Sequence, residues 1–167
     1  MNSLTKKISK INYNNFLWHA IFLALAASLM DIDTVLPFTL NELGGKAFHM
    51  GILISVMLGT SSFSQIIFAP FLHNKKLKKT YLLIGINIRI LALVGLALLF
   101  IFSNNLQNQL RIWLFILLIS LFSFSGAFAN ISYIDLMGKT VYQESRKKLL
   151  SMKQVLTATM KFVAVFY

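Results

Sequence analysis

The sequence has no cysteine, only two prolines and only five acidic residues in 167. Without a thiol, the chain has no disulfide, no cysteine nucleophile and no cysteine-bound metal. Charged residues of both signs make up 13% of the chain, whereas a soluble domain has about 25%. The shortage of charge therefore argues against a soluble globular domain.

Apolar residues predominate, since 57% of the chain is hydrophobic. They occur in runs of about 20 residues, the length that crosses a bilayer as a helix. We predict an all-α, polytopic integral membrane helix bundle with about five transmembrane helices. A polar tail over 1–15 precedes a bundle over 16–167, with spans near 16–40, 50–72, 81–102, 112–137 and an incomplete one at 149–167. A secretory signal peptide is the alternative for the first run, because Ala24-Leu25-Ala26 resembles a cleavage site.

Basic residues lie in short blocks between the apolar runs. They are much more frequent on one side of the predicted membrane than on the other. One side carries Lys6, Lys7, Lys10, Lys75, Lys76, Lys78, Lys79, Lys139, Arg146, Lys147, Lys148 and Lys153. The other side carries Lys46 and Arg111. The positive-inside rule then places the amino terminus in the cytosol, most simply at a bacterial inner membrane. This distribution favours the lipid bilayer as the partner and gives no reason to expect nucleic acid.

Small and polar side chains follow one face of the first, second and fourth predicted spans at helical spacing. The candidates for a substrate or ion pathway among them are Asp31, Ser62, Gln65, Ser123 and Asn130. Two interpretations remain open. Small residues allow helices to approach closely, or these three spans line a polar cavity.

Ionisable side chains within the apolar runs require a structural or functional explanation, since hydrocarbon disfavours charge. Asp31 and Asp33 would lie about 200° apart on a continuous helix, and Asp31 has the more polar neighbours. Asp31 could bind a cationic solute, carry a proton, form a structural ion pair or lie near the outer interface. Arg89 lies roughly 15 Å into the third span, where it would pair with an acid such as Asp31 or extend to the interface. Lys161 raises the same question in the fifth run.

Enzymatic motifs are missing from the sequence. It has no nucleophile–histidine–acid set, no dinucleotide-binding glycine motif and no phosphate-binding loop. We expect no enzymatic activity, no cofactor and no metal site.

The basic segment Pro70–Leu82 resembles the loop between helices two and three of the major facilitator superfamily of secondary transporters. Leu72, Lys75, Lys78 and Lys79 fit the register of that loop. Leu36-Pro37 with Leu43-Gly44 is similar to the end of the family's first helix, and Asp135–Gly138 through Arg146 is similar to its link from helix four to five. The family's helix-four arginine, four residues before a glycine, corresponds to Phe122 before Gly126.

This resemblance implies transport of a small-molecule solute by alternating access, with helices one, two, four and five around the pathway. It also implies a gating contact between the loop, at Lys78, and Asp135 at the cytosolic end of helix four. The family has twelve helices, so we expect an amino-terminal fragment completed by the missing carboxyl-terminal helices or by another chain. The alternative is a small non-transporting membrane protein that acts as a scaffold or partner subunit.

Overall fold

The computed structural model describes residues 5–73 and 78–165, without the side chains of residues 61, 64, 65, 73, 164 and 165. Apart from short turns, this part of the chain is helical and contains no strand, which confirms the all-α prediction. The helices are α1 (Lys6–Leu29), α2 (Val35–Glu42), α3 (Ala47–His73), α4 (Lys78–Ile101), a single 3₁₀ turn at Ser103–Asn105, α5 (Asn108–Thr140) and α6 (Gln143–Val165).

Two compact units divide the chain. The first unit comprises Met1–Leu36 and Ile134–Tyr167, and the second comprises Pro37–Tyr133. The first unit therefore contains α1, α6 and the carboxyl-terminal end of α5, while the second contains α3, α4 and most of α5.

The first apolar run is interrupted between Leu29 and Val35, where the prediction placed one continuous helix over 16–40. Pro37 gives the physical reason. In an unbroken helix its ring would meet the carbonyl of Asp33, and it has no N–H to donate. In the structure Pro37 lies in the first turn of α2, where helical N–H groups have no intrahelical acceptor.

A glycine turn ends α2 and leads into α3. Gly44 has φ +83°, which a residue with a side chain rarely adopts. The N–H of Gly45 donates to Leu40 O at 2.8 Å and the N–H of Gly44 to Asn41 O at 2.9 Å, the hydrogen-bond pair of a Schellman motif. His49 Nδ1 then accepts from the N–H of Lys46 at 3.0 Å, which satisfies one of the free donors at the start of α3.

In the first unit α1 packs along α6. The buried residues of α1 are all small, namely Ser9, Ala20, Ala24 and Ser28. Small side chains allow two helix backbones to approach closely. Polar contacts fix the amino-terminal end, because Asn12 Nδ2 donates to Thr140 O at 3.1 Å.

In the second unit α4 and α5 meet at glycines. A methyl group built on Gly85 would lie 2.8 Å from the Cβ of Ala129 and 3.0 Å from the carbonyl oxygen of Ser125. A methyl group on Gly95 would lie 2.7 Å from the side chain of Leu118. At Gly85 a side chain would push the two helices apart, because backbone atoms of α5 lie in its way, whereas at Gly95 the Leu118 side chain would have to move.

By length and composition, two helices in the described part of the chain could cross a membrane. They are α4 (Lys78–Ile101) and α5 (Asn108–Thr140). At about 1.5 Å per residue, α4 is roughly 36 Å long, enough for a hydrocarbon core of about 30 Å. α5 extends beyond the predicted span 112–137 at both ends, and α4 begins three residues before the predicted span 81–102, because polar residues occupy these ends.

We predict that Gly85→Ala destabilises the protein by about 1–3 kcal/mol, because backbone atoms of α5 cannot move aside cheaply. Gly51→Ala is the matched control. It also lies within a helix but has no atom within 4 Å of the added methyl group, so the higher helix propensity of alanine makes it neutral or stabilising. Thermal unfolding in detergent compares the two variants, and equal stability would contradict the close packing of α4 and α5.

Candidate functional site

An ion pair joins the interruption after α1 to α6. Lys161 Nζ lies 3.3 Å from Asp31 Oδ1. The Asp31 side chain is only 7% exposed, while that of Lys161 is 41% exposed. The carboxylate is therefore withdrawn from solvent and neutralised by a cation that stays partly accessible, the arrangement that an acid in an apolar segment requires.

The same carboxylate organises the interrupted backbone. Asp31 Oδ1 accepts a hydrogen bond from the N–H of Asp33 at 3.2 Å, and the backbone carbonyl of Asp31 accepts from the N–H of Leu36 at 2.9 Å. An aspartate that binds the N–H two residues on is typical of a turn. Asp31 thus connects the turn, the start of α2 and Lys161.

The preference for Asp31 over Asp33 agrees with the burial of the two residues, because Asp31 is buried and Asp33 is exposed. The helical angle between them does not apply, since both lie in the interruption. Of the roles left open for Asp31, the structure contains the ion pair. Lys161 is the residue that sequence reasoning left without a partner, and no local pattern identifies it, because 130 positions separate the two residues.

A groove runs along α6 beside the ion pair. Its volume is about 480 Å³, and its polar lining includes Lys153, Gln154, Thr157 and Lys161. The ammonium groups and the amide can donate hydrogen bonds to a ligand. The lining contains two lysines and no acid, so this groove gives no support to the cationic solute that an isolated Asp31 would suggest.

Arg89 in α4 lies against α5 in the second unit. Its guanidinium carbon is 4.8 Å from the centre of the Phe122 ring, a cation–π contact. The guanidinium also covers Gly126 so closely that a methyl group there would overlap it. The Nε atom is buried and has no hydrogen-bond partner in the described part of the chain. Arg89 thus brings its charge against Phe122 and Gly126 of α5.

The other predicted pathway residues differ in exposure. Ser62 and Asn130 are exposed, and Ser123 is half-buried. The side chain of Gln65 lies outside the described part of the structure. These residues keep their assignment as candidates, since no bound solute marks a pathway.

The predicted gating residues are partly described. Lys78 and Lys79 begin α4, while Lys75 lies outside the described residues. Asp135 pairs with Lys139 one helical turn further along α5, at 2.8 Å. The contact of Asp135 with Lys78 stays a prediction.

Groups for metal binding are sparse. In residues 5–73 and 78–165, no three histidine, aspartate or glutamate side chains lie close enough together to hold a metal ion. Comparisons with protein-family models, with curated proteins and with solved structures found no match to the chain. The chain's own residues are therefore the basis for any functional proposal.

A double-mutant cycle tests the ion pair. We predict that Asp31→Asn and Lys161→Gln each lower stability and that the double variant loses less than the sum, with a coupling of about 1–2 kcal/mol. The partial exposure of Lys161 keeps this value below that of a fully buried pair. Thermal unfolding of all four proteins gives the coupling, and strictly additive losses would show that the two groups do not interact.

A second cycle tests the position of Arg89. We predict that Gly126→Ala destabilises the protein because the methyl group displaces the guanidinium from Phe122. In an Arg89→Met background the same substitution becomes neutral or stabilising by up to about 1 kcal/mol, because alanine favours a helix over glycine. An equal loss from Gly126→Ala in both backgrounds would place Arg89 elsewhere.

Proposed function

We propose that the protein transports a small solute across a membrane as part of a facilitator-type secondary transporter. The observation that carries this proposal is the neutralised acid at an interrupted helix, Asp31 with Lys161. In membranes, broken helices occur where the backbone is buried in protein or lines a watery cavity. Transporters place solute and ion sites at such interruptions.

Exposed apolar side chains support a membrane position for more helices than α4 and α5. In α1 they recur along one face at Trp18, Phe22, Leu25 and Leu29. In α6 they include Val155 and Phe162, each 65% exposed. Water disfavours such surfaces and lipid accepts them. On this proposal α1 with α2, α3, α4, α5 and α6 supply the five predicted spans, with the amino terminus cytosolic.

The polar candidates on α3 and α5 would then face the pathway. Ser62 and Asn130 are exposed on helices that otherwise present large apolar groups to the outside. The basic loop before α4 supports the likeness to the facilitator family. The rest of the pathway would come from further helices of the same polypeptide or from a partner chain.

Cysteine accessibility tests the pathway without knowledge of the solute. Because the chain has no cysteine, each introduced thiol is the chain's sole target. We predict that Ser62→Cys, Ser123→Cys and Asn130→Cys react with a charged thiosulfonate reagent at least about tenfold faster than Phe63→Cys and Leu121→Cys. The reacting species is the thiolate, which forms in water and not in hydrocarbon.

The controls are matched in position, because Phe63 adjoins Ser62 and Leu121 lies two residues from Ser123. Both control side chains are exposed in the structure, by 61% and 40%. The reaction is measured on the complete protein in whole cells and in inverted vesicles, since alternating access gives reactive positions from both sides. Equally slow reaction at all five positions would remove the pathway and favour the scaffold or partner subunit.

A further inference from the structure

A second cavity lies between the amino-terminal part of α1 and the start of α6, within the first unit. Its volume is about 1010 Å³. Four lysines line it, namely Lys6, Lys10, Lys147 and Lys148, against one acid, Glu144. We propose that this basic cleft binds the phosphate headgroup of an anionic phospholipid. The proposal concerns a site separate from the Asp31–Lys161 pair and does not depend on transport.

The charge of the cleft is the first argument. Its lysines come from α1 and α6, and hydrogen bonds hold these two helices together. The positive groups are therefore gathered at one position and not spread along a flexible tail. The N–H of Tyr142 donates to Ser9 Oγ at 3.0 Å, and Tyr13 Oη donates to Met152 Sδ at 3.4 Å. A cluster of ammonium groups with so little compensating acid attracts an anionic group such as a phosphodiester.

The beginning of α6 adds hydrogen-bond donors. Because α6 starts at Gln143, the N–H groups of Gln143, Glu144 and Ser145 have no acceptor within their own helix. All three residues line the cleft. The positive end of the α6 dipole lies at the same position. A phosphate group in the cleft would therefore meet ammonium groups and backbone amides together.

The position of the cleft selects a lipid over a soluble phosphate. Beyond the cleft, the face of α6 that carries Lys148 continues at seven-residue spacing into Val155 and Phe162, each 65% exposed. Tyr13 also lines the cleft, as an aromatic residue does at a membrane interface. An acyl chain can therefore follow this apolar face of α6 while its headgroup occupies the cleft. Headgroup sites of this kind are basic pockets on the cytosolic side.

The test uses the complete purified protein in detergent and counts bound lipids by native mass spectrometry. The probe is dioleoyl phosphatidylglycerol, with dioleoyl phosphatidylcholine as the neutral-headgroup control. We expect Lys10→Gln/Lys147→Gln to weaken phosphatidylglycerol binding about tenfold or more, because charge-assisted contacts to phosphate are lost. Phosphatidylcholine binding stays unchanged.

The matched control is Lys7→Gln/Lys79→Gln, which removes the same charge from lysines that do not line the cleft. It should change phosphatidylglycerol binding by less than about twofold, because neither ammonium group lines the cleft and solvent screens charges outside it. Equal weakening by both double variants would overturn the site.

Glu144→Gln provides a test of opposite sign. Removal of the single acid should tighten phosphatidylglycerol binding, so an effect of misfolding cannot imitate the expected result. Unchanged or weaker binding by this variant would contradict the proposal. Glycerol phosphate at millimolar concentration tests the lipid assignment. If it displaced phosphatidylglycerol and bound with the same affinity, the site would be one for a soluble phosphate and not for a lipid.

Discussion

The contact between Asp31 and Lys161 is the interaction on which the first unit depends. A carboxylate withdrawn from water is costly unless a cation compensates it. Here the cation comes from a helix that is distant in sequence, so the charge balance also selects the pairing of α1 with α6. The interruption after Leu29 takes Asp31 out of the regular helix, so that its carboxylate accepts from the N–H of Asp33 and contacts Lys161.

In the second unit the helices are held together by close packing at glycines, whereas in the first unit an ion pair contributes. Gly85 and Gly95 lie where α4 approaches α5. Ala129 and Leu118 occupy the space that side chains at these two positions would need. Gly126 leaves room for a charged group, the guanidinium of Arg89, which rests on an aromatic ring in place of an acid. Glycines in this unit thus have two uses. Some bring helices together, and one creates the space for an arginine that the apolar surroundings would otherwise exclude.

Hydropathy could predict the helices because a long apolar run with polar ends is compatible with few structures other than a helix. It could not predict the interruption at 30–34, since a hydropathy average does not register a missing backbone donor, although Pro37 was visible in the sequence. Asp31 could be preferred to Asp33 from its neighbours. Its partner Lys161 could not, because ion pairing depends on the folded path of the chain. In the sequence, the lysines at 6, 10, 147 and 148 indicate only membrane topology, and only the packing of α1 on α6 gathers them into a cleft.

The separation of Asp31 from Lys161 has a consequence for biosynthesis. The ribosome adds about 5–20 residues per second, so the 130 positions between the two residues take on the order of ten seconds to appear. During that interval α1 has left the ribosome while its ion-pair partner has not been synthesised. Until α6 arrives, the carboxylate lacks the cation that compensates its burial. The packing of α1 against α6 is therefore a late event that follows the emergence of α6.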